Sequence, residues 1–313
     1  MNLRIGSRAS QLALWQANHI AALLRGRGHH VEIEIIRTTG DSLPEVAFSQ
    51  VGVKGMFTRE IEEALSAARI DLAVHSLKDL PTELPHPFML AATPPRADPR
   101  DVLVSIHHHS LAALPGGARV GTSSQRRRAQ LKALRPDLQA IEFRGNVDTR
   151  IRKLSEGQVD AILLAAAGLD RLEKTEWMRE RLDPSDFCPA AGQGALAIET
   201  RRDDEATIAA LAFLDDPATR FAITVERAAL AALGGGCQVP IGLYCRPKET
   251  PAHSGRECDE VEIHAVVAAP GSGEAVRVYH AASTASDPIA LGSKTASLLL
   301  AAGAGPLLAS AGA

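Results

Sequence analysis

TPPRADPR, at residues 93–100, sets three prolines (Pro94, Pro95 and Pro99) close together, and neither a helix nor a central strand runs through such a stretch. PAAGQGA, at residues 189–195, makes a second break. Between them lie apolar runs at 101–106, 118–121, 139–143 and 160–165, read as strands, interleaved with helical patterns at about 124–134 and 147–156. Alternation of this kind predicts a mostly parallel sheet covered on both faces. The segment therefore reads as a lobe inserted into another, with the two breaks as hinge crossings.

Outward from that segment, the chain opens as a βαβ unit: a short strand over Leu3 to Ile5, then a helix from about Ser10, the expected N-cap. VEIEIIR at 31–37 alternates like a half-buried strand, a helix is expected over roughly Phe57 to Arg69, and DLAVHS ends in the polar turn SLKDLP. After about residue 215 come a helix at 217–233, three strand-like runs (IGLYCR, VEIHAVVA and AVRVYHAA) and a helix near 288–302. The expected fold class is α/β, with two lobes and a smaller α+β third lobe. The expected division is 1–94 with 195–213, 95–194, and 214–313.

Composition narrows the function. The chain has 313 residues and a formal net charge of -3, with two Trp, two Tyr and seven Phe, so a nucleic-acid coat or a base-stacking platform is not expected. No run of about 20 apolar residues offers a membrane span, and MNLRIGSRAS lacks a signal peptide's apolar core, so a cytoplasmic protein is expected. Cys188, Cys237, Cys245 and Cys258 lack metal or disulfide spacing, and His107 to His109 have no acidic partner at ligand spacing, so no metal is expected.

Charge is nevertheless local. Between Arg119 and Lys153 stand ten basic residues against three acids. GTSSQRR places Thr122, Ser123 and Ser124 at a strand-to-helix turn, where backbone N–H groups and the positive helix end favour an anion, and RGNVDTR repeats the arrangement one βα unit later. Arg126, Arg127, Arg144 and Arg150 are read as ligand contacts, and Arg128, Lys132, Arg135, Arg152 and Lys153 as a solvated helix face. Lys78 and Asp79 sit at the carboxyl end of a strand, where a surface turn is the commoner reading. Cys237, in GGGCQVPIG, reads either as a buried structural thiol or as a presented nucleophile.

These residues resemble the porphobilinogen deaminase (hydroxymethylbilane synthase) family through RIGSRASQLALWQA, TTGD, VGVKGMFTREIE, DLAVHSLKDLP, DPRDVLVS, VGTSSQRR, FRGNVDTR, LLAAAGLDRL, PAAGQGALAIE and GGGCQVPIG, in the family's order. The resemblance implies two lobes like those of periplasmic binding proteins and a third lobe carrying a dipyrromethane cofactor on Cys237. It implies condensation of four porphobilinogen units with loss of ammonia, then hydrolysis to hydroxymethylbilane. Asp79 matches the family's catalytic aspartate. Lys78, Asp41, Thr122, Ser124, Arg126, Arg127, Arg150 and Gln193 match cofactor-holding positions, and Arg8, Ser10, Arg144 and Arg171 match substrate-binding ones. Lys54 and Phe57 match a mobile loop. A monomer acting on a small molecule is implied, with neither membrane nor nucleic acid as partner. Gln50 and Arg59 stand where lysines are frequent, and Gly234 stands where glutamate is. The competing reading is a non-enzymatic anion-binding protein on the same two-lobed fold.

Overall fold

A computed structural model describes residues 1–39, 58–235, 239–248, 259–269 and 271–311. Asp41, Gln50, Lys54, Phe57, Cys237 and Cys258 lie outside the described residues, and so do the expectations placed on them.

The first lobe is built on strands β1 (Asn2–Ser7), β2 (His30–Ile35), β3 (Leu72–Ser76) and β4 (Phe88–Ala92), with helices α1 (Gln11–Gly26) and α2 (Arg59–Ser66). Ser10 caps α1 by accepting a hydrogen bond from the Ala13 amide, as its place before the apolar periodicity predicts. Ala17, Ile20 and Leu24 of α1 pack on Leu3, Ile5 and Leu72, while Ile61 and Leu65 of α2 cover the other face beside Ile70. The helix expected over 57–69 is shorter, ending before Ala68, which takes a positive φ of 50°.

The second lobe contains β5 (Asp101–Val104), β6 (Arg119–Gly121), α3 (Gln125–Leu134), β7 (Gln139–Ile141), α4 (Val147–Ser155), β8 (Ala161–Ala165), α5 (Ala166–Arg171) and β9 (Met178–Arg181). Its sheet is buried on both faces. Leu103 and Leu163 point to one cluster with Val120, Leu131 and Phe187, and their neighbours Val102, Val104, Ile162 and Leu164 point to the other with Phe143 and Ile151.

The chain then returns to the first lobe through β10 (Leu196–Arg201) and α6 (Glu205–Leu211). Strand order is β2-β1-β3-β10-β4 in one sheet and β7-β6-β8-β5-β9 in the other. In each, three strands are parallel and the fourth position is taken by an antiparallel strand entered from a crossing. The sheet expected to be mostly parallel is therefore mixed: β5, which follows directly on the first crossing, pairs with β8 in the antiparallel sense.

The two crossings run side by side. The Ala97 amide donates to the Gly194 carbonyl at 3.2 Å, and a Cβ on Gly194, whose φ is +88°, would stand 2.5 Å from the Ala97 carbonyl oxygen. Only glycine fits there.

The third lobe packs α7 (Pro217–Ala232), α8 (Pro288–Ala301) and α9 (Ala304–Ala311) on an antiparallel sheet of β11 (Ile241–Pro247), β12 (Glu260–Ala268) and β13 (Ala275–Ser283). Gly234, with φ +68°, stops α7, and its amide donates back to the Ala231 carbonyl at 2.9 Å. The segment containing Cys237 follows immediately.

Candidate active site

The parallel strands of both lobes end toward one seam, the place where open α/β sheets bind ligands. From the first lobe come Arg8 and Ser10 after β1, and the single 3-10 turn Leu77–Asp79 after β3. From the second come Thr122 to Ser124 after β6, Glu142 to Asn146 after β7, and Arg171 at the end of α5. Asp101, which begins β5, pairs in register with Ala165 at the end of β8 and therefore sits at the same edge.

A continuous chain of polar contacts crosses this seam. Lys78 Nζ donates to Gln193 Oε1 at 3.3 Å, and Gln193 Nε2 donates to Asp101 Oδ1 at 3.0 Å and to the Pro99 carbonyl at 2.6 Å. Arg127 donates to Asp101 Oδ1 through Nε and Nη2 at 2.9 and 2.7 Å, and Arg126 Nη1 reaches Asp101 Oδ2 at 2.6 Å. Arg126 Nη1 also reaches the Cys188 carbonyl at 2.6 Å, and Arg127 Nη1 the Leu163 carbonyl at 3.0 Å. Both arginines are buried rather than open. Their placement follows from α3, whose N-cap Ser124 accepts from the Arg127 amide and whose first turn points back over β5 and β8.

Excess positive charge decides the electrostatics. Burial would raise the Asp101 carboxyl, but the Arg126 and Arg127 charges win and hold it well below the usual carboxylate range. Lys78, half-buried, is pushed down to about 8 by desolvation and then by the Arg127 charge. Arg150 donates to the Gly145 carbonyl at 2.7 Å and to Ser123 Oγ at 3.4 Å; burial, and then the Arg127 charge, lower it to about 10. Arg171 donates to the Gly194 carbonyl at 2.8 Å and is lowered by burial to about 10. No carboxylate among the described residues lies within ion-pair distance of Arg150 or Arg171. Two partly desolvated guanidiniums without an ion-pair partner among the described residues have the chemistry to accept an anion.

The remaining expected positions divide. Thr122 is buried, with its Oγ1 accepting from the Ser124 amide at 3.2 Å. Arg144 pairs with Glu142 at 2.8 Å, and Asp79 is exposed at the cleft edge. Of the basic residues assigned to a solvated face, Arg128, Arg135 and Arg152 take acidic neighbours Glu142, Asp137 and Glu156, while Lys132 and Lys153 donate to backbone carbonyls. Among the described residues no group of His, Cys, Asp and Glu could hold a metal ion, and no helix is long and apolar enough to cross a membrane.

Sequence reading missed Asp101, Arg96 and Glu226. Arg96 lies in the first crossing and donates to the Gln193 carbonyl at 2.8 Å and to Glu226 of α7 at 2.6 and 3.1 Å. Glu226 also accepts from the Gly192 amide at 2.6 Å and the Cys245 amide at 2.8 Å. One buried carboxylate thus joins both crossings to the third lobe. The signal that could have revealed Asp101 was an acid directly after a proline-rich crossing and within reach of paired arginines; Glu226 left none.

Such a seam defines a two-lobed α/β protein with arginines and a lysine gathered where its lobes meet. Residues 3–209 match the family model described as porphobilinogen deaminase, dipyromethane cofactor binding domain, and residues 220–301 match porphobilinogen deaminase, C-terminal domain. The chain belongs to the porphobilinogen deaminase family, enzymes of the transferase class that carry a dipyrromethane. It is similar to the porphobilinogen deaminases of Roseiflexus castenholzii (51% identical, covering 98% of this chain and 99% of that one) and Brevibacillus brevis (46%, covering 98% and 96%). Among solved structures, the periplasmic aliphatic sulphonate binding protein SsuA of Escherichia coli is 19% identical, with a TM-score of 0.38, covering 74% of this chain and 70% of that one.

Proposed function

We propose that this chain condenses four porphobilinogen molecules, with loss of ammonia at each step, onto a dipyrromethane bound through a thioether to Cys237, and then releases hydroxymethylbilane by hydrolysis. The reaction belongs to tetrapyrrole biosynthesis of the heme or chlorophyll type. We further propose a cytoplasmic monomer that needs neither membrane nor nucleic acid, with lobes at 1–94 plus 195–213, 95–194 and 214–313.

The observation that carries the reading is the charge imbalance at the seam. Arg150 and Arg171 are partly desolvated without carboxylate partners, and Lys78 is lowered to about 8 beside Arg127. A group bearing several carboxylates fits such a site, because each would supply the missing counter-charge. Lys78, Thr122, Ser124, Arg150 and Gln193 would hold its carboxylates or backbone-facing oxygens. Arg126 and Arg127 would contribute positive field, with Asp101 fixing their planes. When bound, the dipyrromethane supplies the pyrrole carbon on which the chain lengthens. Asp41 would accept from a pyrrole N–H.

Arg8, Ser10, Arg144 and Arg171 would receive the acetate and propionate arms of incoming porphobilinogen, since planar guanidiniums match carboxylates bidentately. Asp79, exposed at the seam one residue after Lys78, would stabilise the positive charge that spreads over the substrate ring as ammonia leaves. It would also move a proton.

Intact mass of the purified protein tests the anchor and the family together. An adduct on the wild type that is missing from Cys237→Ser is the expected result. A wild type of unmodified mass that makes no hydroxymethylbilane from porphobilinogen would overturn the reading.

A further inference from the structure

Arg171 is held by less than its position requires. Its Nη2 donates to the Gly194 carbonyl at 2.8 Å, while its neighbour Asp170 is turned away to Arg181, at 2.9 and 3.3 Å. A long side chain with one backbone bond retains rotamer freedom, and freedom at this site would cost a substrate that must find the guanidinium in place. The missing restraint comes from the other lobe. Trp15 of α1 presents its ring 5.8 Å from the Arg171 guanidinium carbon. His19, one turn further along α1, stacks on Trp15 with ring centroids 5.1 Å apart and planes 9° from parallel.

The helices that carry these groups touch: a Cβ on Gly168 of α5 would lie 3.8 Å from Leu12 Cδ2 of α1. The Arg171 charge also reaches the second ring, since the His19 pKa is lowered first by burial and then by Arg171. Ser10 caps α1, so the stacked rings lie on the helix that directly follows the substrate-facing groups proposed for the first lobe.

Resting on the reaction proposed above, we propose that Trp15, backed by His19, is a positioning residue for Arg171: an aromatic ledge on one lobe that holds a guanidinium of the other in line for a carboxylate of incoming porphobilinogen. The chemistry of the ledge suits the task. A ring face attracts a cation without occupying its N–H donors, whereas a carboxylate in the same place would have to be displaced at every addition. An incoming carboxylate can thus dock on the guanidinium edge while the ring keeps its face.

The test combines kinetics with a binding signal. Trp15→Leu should raise KM for porphobilinogen by roughly five- to tenfold, the scale of a partly desolvated cation–π contact, with kcat little changed. Trp15→Phe, which keeps a ring, should recover most of that loss. The chain's two tryptophans are Trp15 and Trp177, so a Trp177→Phe background isolates Trp15 emission in the holoenzyme. Porphobilinogen should shift that emission, and Arg171→Leu should abolish the shift. An unchanged KM in Trp15→Leu, a Trp15→Phe variant as impaired as Trp15→Leu, or a shift that survives without Arg171 would each overturn the ledge. A wild type that forms no hydroxymethylbilane would overturn the underlying reaction instead.

Discussion

Arg96 and Glu226 are joined by two hydrogen bonds, at 2.6 and 3.1 Å, that tie the first crossing between the lobes to the long helix of the third. Glu226 is 1% exposed and spends its remaining capacity on the Gly192 and Cys245 amides. The lobe that contains Cys237 is therefore docked on the hinge itself.

Removing this carboxylate should be severe. Glu226→Ala leaves the Arg96 guanidinium without its counter-charge and two amides without partners, and breaking a buried ion pair from one side costs about 3–5 kcal/mol. Glu226→Gln, which keeps shape and one acceptor, should lose less. Urea unfolding followed by circular dichroism orders the three proteins, and a midpoint for Glu226→Ala equal to the wild type would deny the joint its structural role.

Asp101 carries a pH dependence whose sign can be worked out. Its folded pKa lies below the unfolded value of about 3.9, because Arg126 and Arg127 outweigh burial. The stability it contributes is thus fully present above about pH 4 and is lost as pH falls toward the folded value. Asp101→Asn should be less stable than wild type at pH 7, and the gap should narrow in acid as the wild-type carboxylate protonates. Melting temperatures over pH 2.5–7 test this: parallel curves would mean that Asp101 does not titrate against folding.

Arg150 makes the opposite case. Its charge is disfavoured by burial and by Arg127, with no acid among the described residues at ion-pair distance. Arg150→Leu should therefore leave cofactor-free protein at least as stable as wild type, yet weaken its hold on the dipyrromethane. Thermal melting of the cofactor-free forms, with intact mass after reconstitution, separates the two effects. A variant that melts well below wild type would make Arg150 a structural residue.

Much of this architecture could be read from residue patterns. Ser10, Ser124 and Asn146 cap the helices they precede, and the alternation of VEIHAVVA appears as the buried and half-buried positions of β12. Strand direction is less accessible, because side-chain period is identical in parallel and antiparallel pairs; a mostly parallel sheet is what alternating strands and helices suggest, while β5 pairs antiparallel with β8. β9, Met-Arg-Glu-Arg, shows no apolar alternation because its residues are all half-buried at a sheet edge. Within the site, Arg127 and Arg150 look alike in sequence, but Asp101 neutralises only the first. Glu226 resembles any solvated helix acid until Arg96, 130 positions away, is brought against it.

Asp79 is the residue on which chemistry rather than binding should depend. It follows Lys78 on a single 3-10 turn, is exposed at the seam, and has no ion pair among the described residues, so its carboxylate is available to a substrate. Asp79→Asn preserves size and removes charge without disturbing the Lys78–Gln193–Asp101 chain. The variant should fold, retain its dipyrromethane and bind porphobilinogen, while kcat falls by roughly 100- to 1,000-fold, the scale for losing one preorganised electrostatic group. Stopped-flow single turnovers would then show the loss in the first condensation rather than in product release. Near-normal turnover in Asp79→Asn would remove the carboxylate from the mechanism and leave the seam's cations to carry the reaction unaided.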